Sequence, residues 1–96
     1  DLPMEIQSTA TFVKSYGFSM PDGNIVLAIW NDGVAIDFDP GIPSMIILPD
    51  LAGWTATGID VLVGLQQDLI TNNENGDMII RDFYLKDYPI LILLSK

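Results

Sequence analysis

Tyr88-Pro89-Ile90-Leu91-Ile92-Leu93-Leu94, near the end of the chain, decides how the rest is read. It is a short apolar run opened by a proline. Proline can open a strand, because the first position can go without a ladder donor. The run is too short to cross a bilayer as a helix, which takes about 20 apolar residues. It reads as a closing β-strand. Its residues do not alternate between apolar and polar, so both faces of that strand are dry.

Moving outward, turn signals recur at roughly the 8–12-residue spacing of an all-β domain. They are Asp22-Gly23, Asn31-Asp32-Gly33, Asp39-Pro40-Gly41, Pro49-Asp50 with Gly53, Gly64, and Asn75-Gly76. Asn-Gly between two β-rich runs is a tight hairpin signal. The candidate strands between these turns are Thr9 to Ser19, Asn24 to Trp30, Ser44 to Leu48, Trp54 to Leu62, Leu65 to Thr71, Asp77 to Leu85 and Tyr88 to Leu94. Helical signals are weak. Leu65-Gln66-Gln67-Asp68-Leu69-Ile70 has helical spacing, but Gly64 and Asn72-Asn73 confine it to less than a typical helix, and a strand is the better reading.

The absence of alternation is not confined to the last strand. Ile25-Val26-Leu27-Ala28-Ile29-Trp30 and Met45-Ile46-Ile47-Leu48 lack it too, and Met78-Ile79-Ile80-Arg81-Asp82-Phe83 alternates imperfectly. A two-layer sandwich buries one face of each sheet. Strands that are apolar on both faces therefore call for a second cover, from another domain or subunit. The plainer alternative is a tightly curled barrel with ordinary apolar surface residues.

Composition narrows the chemistry. Ninety-six residues suit one domain with one core. There is no cysteine, so disulfides and thiolate metal sites are excluded, and no histidine, which removes the commonest general base and every Ser-His or Cys-His arrangement. Four basic and thirteen acidic residues leave a formal charge of −9. Nucleic acid and anionic membranes are disfavoured as partners, since both need lysine and arginine clusters. The acids stand in ones and twos, mostly in turns, as on a solvated surface. Asp1-Leu2-Pro3 has no basic region, no long apolar core and no initiator methionine. No signal peptide is read there, and a fragment or processed product is the expectation. Compartment is left open.

The order of segments resembles a known family. Tyr16-Gly17-Phe18, the Asp22-Gly23 turn, Ile25 to Trp30, Met45 to Pro49, Gly58-Ile59-Asp60-Val61-Leu62, Gly64 to Leu69 and Asp87-Tyr88-Pro89-Ile90 follow one another. From about Thr11 to Leu94 the chain looks like the C-terminal β-sandwich that follows the catalytic (β/α)8 barrel in many retaining glycoside hydrolases. The resemblance implies a stabilising module that packs on the barrel, with both catalytic carboxylates on the barrel and none on this chain. No cofactor is expected.

Several residues merit a site reading of their own. Trp54 follows the Asp50-Leu51-Ala52-Gly53 turn and could stack on a sugar face, with Tyr84 as a second carbohydrate contact; edge packing is the plainer role for both. Trp30 reads as core or docking surface. Asp32, Asp37 and Asp39 form the densest acidic stretch, and turn oxygens can hold calcium. Their spacing matches no EF-hand loop, and a solvated loop is the simpler account. No pair of carboxylates is marked for glycoside hydrolysis, which needs a deep cleft and a raised pKa on one member.

The expectation is thus an all-β chain, a single antiparallel β-sandwich of about 7–8 strands over 1–96, with 1–8 a linker or an extra edge strand. Phe18, Ile25, Leu27, Ile29, Trp30, Ile47, Ile59, Val61, Ile80, Ile90 and Ile92 are expected in the core or a docking layer. Its function is expected to be non-catalytic. The partner is a (β/α)8 barrel or a second copy of the chain, and a carbohydrate-binding module is the alternative.

Overall fold

A computed structural model describes residues 4–8, 13–31, 41–60, 62 and 64–96, with the side chains of Gln67 and Asp82 excepted. Among these residues there are nine strands and no helix. In chain order they are β1 (Glu5–Ser8), β2 (Val13–Ser19), β3 (Ile25–Asn31), β4 (Ile42–Leu48), β5 (Thr55–Asp60), β6 (Leu65–Asp68), β7 (Thr71–Glu74), β8 (Asp77–Leu85) and β9 (Ile90–Ser95). They form two antiparallel sheets, β1-β4-β8-β7 and β2-β3-β9-β5-β6, consistent with a β-sandwich.

Strand order follows from the turns. The β2–β3 hairpin closes where Asp22 Oδ1 accepts from the Asn24 amide at 3.0 Å and Met20 O accepts from the Gly23 amide at 3.0 Å. The β7–β8 hairpin closes through Asn75 and Gly76, at φ 54° and 86°. Two consecutive positive φ values make the tight turn whose twist matches the strands, and Asn-Gly adopts them at least cost. Glu74 and Asp77 pair directly across it.

One expectation is corrected, and of the two readings of 1–8 the edge strand is the one met. Leu65 to Thr71 is not one strand: β6 stops at Asp68 in the five-stranded sheet and β7 starts at Thr71 in the four-stranded one, so Leu69 and Ile70 carry the chain from sheet to sheet. Of the 1–8 segment, Glu5–Ser8 is an edge strand, held along β4 by the pairs Glu5 with Ile47 through Ser8 with Ser44. Its Ser8 hydroxyl accepts from Ser44 Oγ at 2.8 Å.

The imperfect alternation of β8 has a structural cause. Ser44 pairs with Phe83 and Ile46 with Ile80, so Met45 faces both Arg81 and Asp82. One extra residue in one strand is a β-bulge, and it inverts the side-chain phase beyond it. Met78 and Ile80 are buried before the bulge, and Phe83 and Leu85 after it.

The core lies between the sheets. Leu27 and Ile29 of β3, Ile46 and Leu48 of β4, Met78, Ile80, Phe83 and Leu85 of β8, and Ile90, Ile92 and Leu94 of β9 form one cluster, closed at one end by Leu51 and Ala56. Of the residues expected in the core or docking layer, Leu27, Ile29, Ile80, Ile90 and Ile92 are in it and Ile25 packs against it. Val61 lies outside the described residues. Phe18, Trp30, Ile47 and Ile59 stand on strands but outside that cluster. The Arg81–Glu74 ion pair on the β8–β7 surface, 2.9 Å long, has both side chains about half exposed and contributes well under about 1 kcal/mol.

Inward and outward positions of β9 are therefore expected to differ in cost. Ile92→Ala, at a site with no exposure, should lose about 2–5 kcal/mol. Leu91→Ala, half-buried on the other face, should lose less than half of that in the isolated chain. Urea midpoints of the two variants check this, and equal losses would contradict the assignment of faces.

Candidate interaction surfaces

Alternation along each strand assigns a second face to the five-stranded sheet. Since Leu27, Ile29, Ile90, Ile92, Leu94 and Ala56 point inward, their neighbours point outward. The register sets these outward residues in rows. Phe18, Val26, Leu93, Thr57 and Asp68 lie side by side across all five strands. Tyr16, Ala28, Leu91, Ile59 and Gln66 form the next row. Lys14 and Trp30 begin a third.

This face is apolar from β2 to β5. Tyr16 is 67% exposed and Phe18 55%, while Val26, Ala28, Trp30, Ile59, Leu91 and Leu93 are half-buried by one another. Tyr16 stacks on Trp30 with ring centroids 5.7 Å apart and planes 28° from parallel, an offset arrangement that a ring quadrupole favours. Lys14 is the only charged residue at the outward positions of β2, β3, β5 and β9; Asp68 stands at the far rim on β6. Five strands about 4.8 Å apart and three rows of side chains cover on the order of 400 Å². That equals the largest apolar patches of ordinary monomers, which are often functional. Charge depletion with tyrosine, tryptophan and phenylalanine is the composition of an interface centre.

Two clefts open along the side of the sandwich where β5 and β6 leave β8 and β7. The first, about 170 Å³, is lined by Gly58, Asp60, Leu65, Leu69, Ile80, Arg81, Phe83, Tyr84, Lys86 and Ile90. At its mouth the Tyr88 hydroxyl donates to Asp60 Oδ2 at 2.8 Å, tying the β8–β9 link to the end of β5. The Asn31 amide, donating to Lys86 O at 2.7 Å, ties the same link to β3. The second cleft, about 350 Å³, is lined by Trp54, Thr55, Ala56, Thr57, Asp68, Leu69 and Thr71. Leu69 is common to both and divides them. It sits low because Gly58 has no side chain: a Cβ there would stand 3.1 Å from Leu69 Cδ2.

Sequence reading singled out some of these groups and missed others. Trp54 lines the second cleft and packs against the core, with Lys96 Nζ 6.0 Å from its ring centroid. Tyr84, half-exposed on β8, lines the first cleft, so the two carbohydrate candidates do not share one cleft. Asp32, Asp37 and Asp39 lie outside the described residues; among those described, no group of acidic residues is placed to hold a metal ion. Asp60, Asp68 and Thr71 were not singled out, because an isolated aspartate or threonine beside a turn looks the same in sequence whether it faces a cleft or bulk water.

No protein-family model, curated protein or solved structure matches this chain.

The Tyr88–Asp60 bond is expected to be worth about 1–2 kcal/mol, as a partly buried hydrogen bond to a carboxylate. Tyr88→Phe should lower the urea-unfolding free energy by that amount at neutral pH. An unchanged value would show that the link is held by other contacts.

Proposed function

We propose that this chain is a non-catalytic accessory sandwich that docks the outer face of its five-stranded sheet on a catalytic (β/α)8 barrel of the glycoside-hydrolase kind. One observation carries the reading: in a chain of charge −9, a face five strands wide carries aromatic and aliphatic side chains and almost no charge. Water-facing sheet surfaces alternate toward polar residues. On this one the polar side chains are Lys14 on β2, Thr55 and Thr57 on β5, Ser95 on β9, and Gln66 and Asp68 at the β6 rim. The segment order from Tyr16 to Ile90 supplies the identity of the partner, by its resemblance to sandwiches that follow such barrels. With no histidine or cysteine and no cofactor assigned, the role proposed is mechanical. About 800 Å² per partner makes a standard interface, so the face serves as its centre and neighbouring loops as its rim.

The gene's reading frame ahead of Asp1 is expected to encode a barrel-length segment. In that longer polypeptide, with Trp54→Phe to leave one indole on this domain, Trp30 fluorescence should be shielded from acrylamide compared with the isolated chain. Leu91→Glu, on the same face with Trp30 kept, should abolish the shielding and lower the thermal stability of the barrel. Equal quenching of Trp30 in both contexts would sink the docking proposal. A concentration-dependent dimer of the isolated chain that Leu91→Glu dissociates would assign the face to a second copy instead.

A further inference from the structure

The second cleft lies at the β6 rim of the outward face, where it shares Thr57 and Asp68 with the outermost row, and its chemistry is different. It opens where Leu69 and Ile70 cross between the sheets, beside the part of β5 that extends past the end of β6. Trp54 forms one wall. The side chains of Thr57, Asp68 and Thr71 stand around it without hydrogen-bonding or ion-pairing to any described residue. An aromatic ring beside uncommitted hydroxyls and a carboxylate suits a ligand with an apolar face and a hydroxyl-bearing rim.

The wall is also held in place before any ligand arrives. The Trp54 amide donates to Leu51 O at 3.1 Å, and the Gly53 amide to Asn73 Oδ1 at 3.2 Å. The Asp50 amide donates to Asp77 Oδ1 at 3.2 Å, and the Ala52 amide to Gly76 O at 3.1 Å. The loop bearing the indole is thus stapled to the β7–β8 hairpin, and little ordering cost remains on binding. The Trp54 ring is only partly buried, and the exposed Lys96 ammonium stands 6.0 Å from its centroid. A π face that receives an ammonium also receives the polarised C–H groups of a sugar ring.

We infer that this cleft is a subsite for one pyranose ring of a neutral carbohydrate. The indole takes the C–H face of the ring. The Asp68 carboxylate accepts from its hydroxyls, and Thr57 and Thr71 bond those that remain. A volume of about 350 Å³ is at the small end of ligand sites, which run about 300–1,000 Å³, so the cleft takes one ring of a chain rather than several. Neutrality follows from charge: Asp68 and the overall −9 repel a uronic acid. This inference does not rest on the docking proposal.

The test titrates the full chain with cellotetraose, xylotetraose and mannotetraose, with trigalacturonic acid as the anionic control. Heat is measured by calorimetry, and the Trp54 indole N–H is followed by NMR. Saturable binding of at least one neutral oligosaccharide is expected, with a dissociation constant on the order of 1 mM, and none of the acid. Trp54→Ala and Asp68→Ala should each weaken it by about tenfold or more. Glu5→Gln, exposed on the far edge of the other sheet, should leave it unchanged. Because Trp54 also packs on the core, Asp68→Ala carries the test if Trp54→Ala does not fold. Failure of all three neutral oligosaccharides, or binding unmoved by Asp68→Ala, overturns the assignment.

Discussion

The pairing of β3 with β9 is the constraint on which the rest of the molecule depends. These strands sit at the second and third places of the five-stranded sheet, joined from Ile25 with Leu94 to Ile29 with Ile90. They come from distant parts of the chain, so loop-closure entropy opposes their meeting. Burial of Leu27, Ile29, Ile90, Ile92 and Leu94, all nearly inaccessible, offsets that cost at about 25 cal/mol per Å² of apolar surface. Once the pair exists, β2 adds to one side through the Asp22-Gly23 turn and β5 to the other through Thr55 with Ser95. The second sheet then has an apolar surface to close against.

The same pair produces the exposed face. A β-strand sends alternate side chains to opposite sides, so a run such as Ile25 to Trp30 that fills the core with every second residue must present the others outward. Val26, Ala28, Leu91 and Leu93 are therefore a direct consequence of non-alternating sequence, and Tyr16 and Phe18 on β2 extend their surface to the sheet edge. The other sheet differs. Its edge strand places Glu5 and Gln7 beside Ile47 and Met45, and Arg81 with Glu74 on its outer side supplies a solvated ion pair. Only one of the two outer faces is built without polar cover.

Much of the fold was legible in the sequence because its signals are local. Asn75-Gly76 marks its hairpin, Asp22-Gly23 another, and Asp77 to Leu85 and the closing strand fall within two residues of where they were expected. The apolar character of β3 and β9 on both faces was legible for the same reason. What stayed hidden depends on partners remote in sequence. Thr71 to Glu74 is polar and carries no strand pattern; it is a strand because the Asn-Gly turn folds it back on β8. Glu5 to Ser8 is one because β4 has a free edge. The bulge at Arg81 and Asp82 showed only as broken alternation, and its location needs the register with Met45. The second cleft depends on three separate segments, Trp54 to Thr57, Asp68 to Leu69, and Thr71, and no local pattern announces such a meeting.

A sheet with two apolar faces is also a hazard, and the distribution of charge bears on it. Ile90-Leu91-Ile92-Leu93-Leu94 has the composition of a steric-zipper segment, with high β propensity and no charge. It sits in the middle of its sheet, paired on both sides, so its backbone is not available for templating. The edges are managed differently. β2 carries Lys14 and a glycine, and β6 is only four residues long, ends in Asp68 and has Gln66 on its outward side. Acids sit at the turns and rims, at Asp22, Asp50, Asp60, Asp68 and Asp87, rather than on the apolar face. Net repulsion at −9 then opposes random aggregation and leaves the outward face of β2, β3, β5 and β9 largely apolar. Among the described residues, Lys14 is the one charged side chain at the outward positions of β2, β3, β5 and β9, and Asp22, Asp60 and Asp68 stand at the strand ends and rim of that sheet.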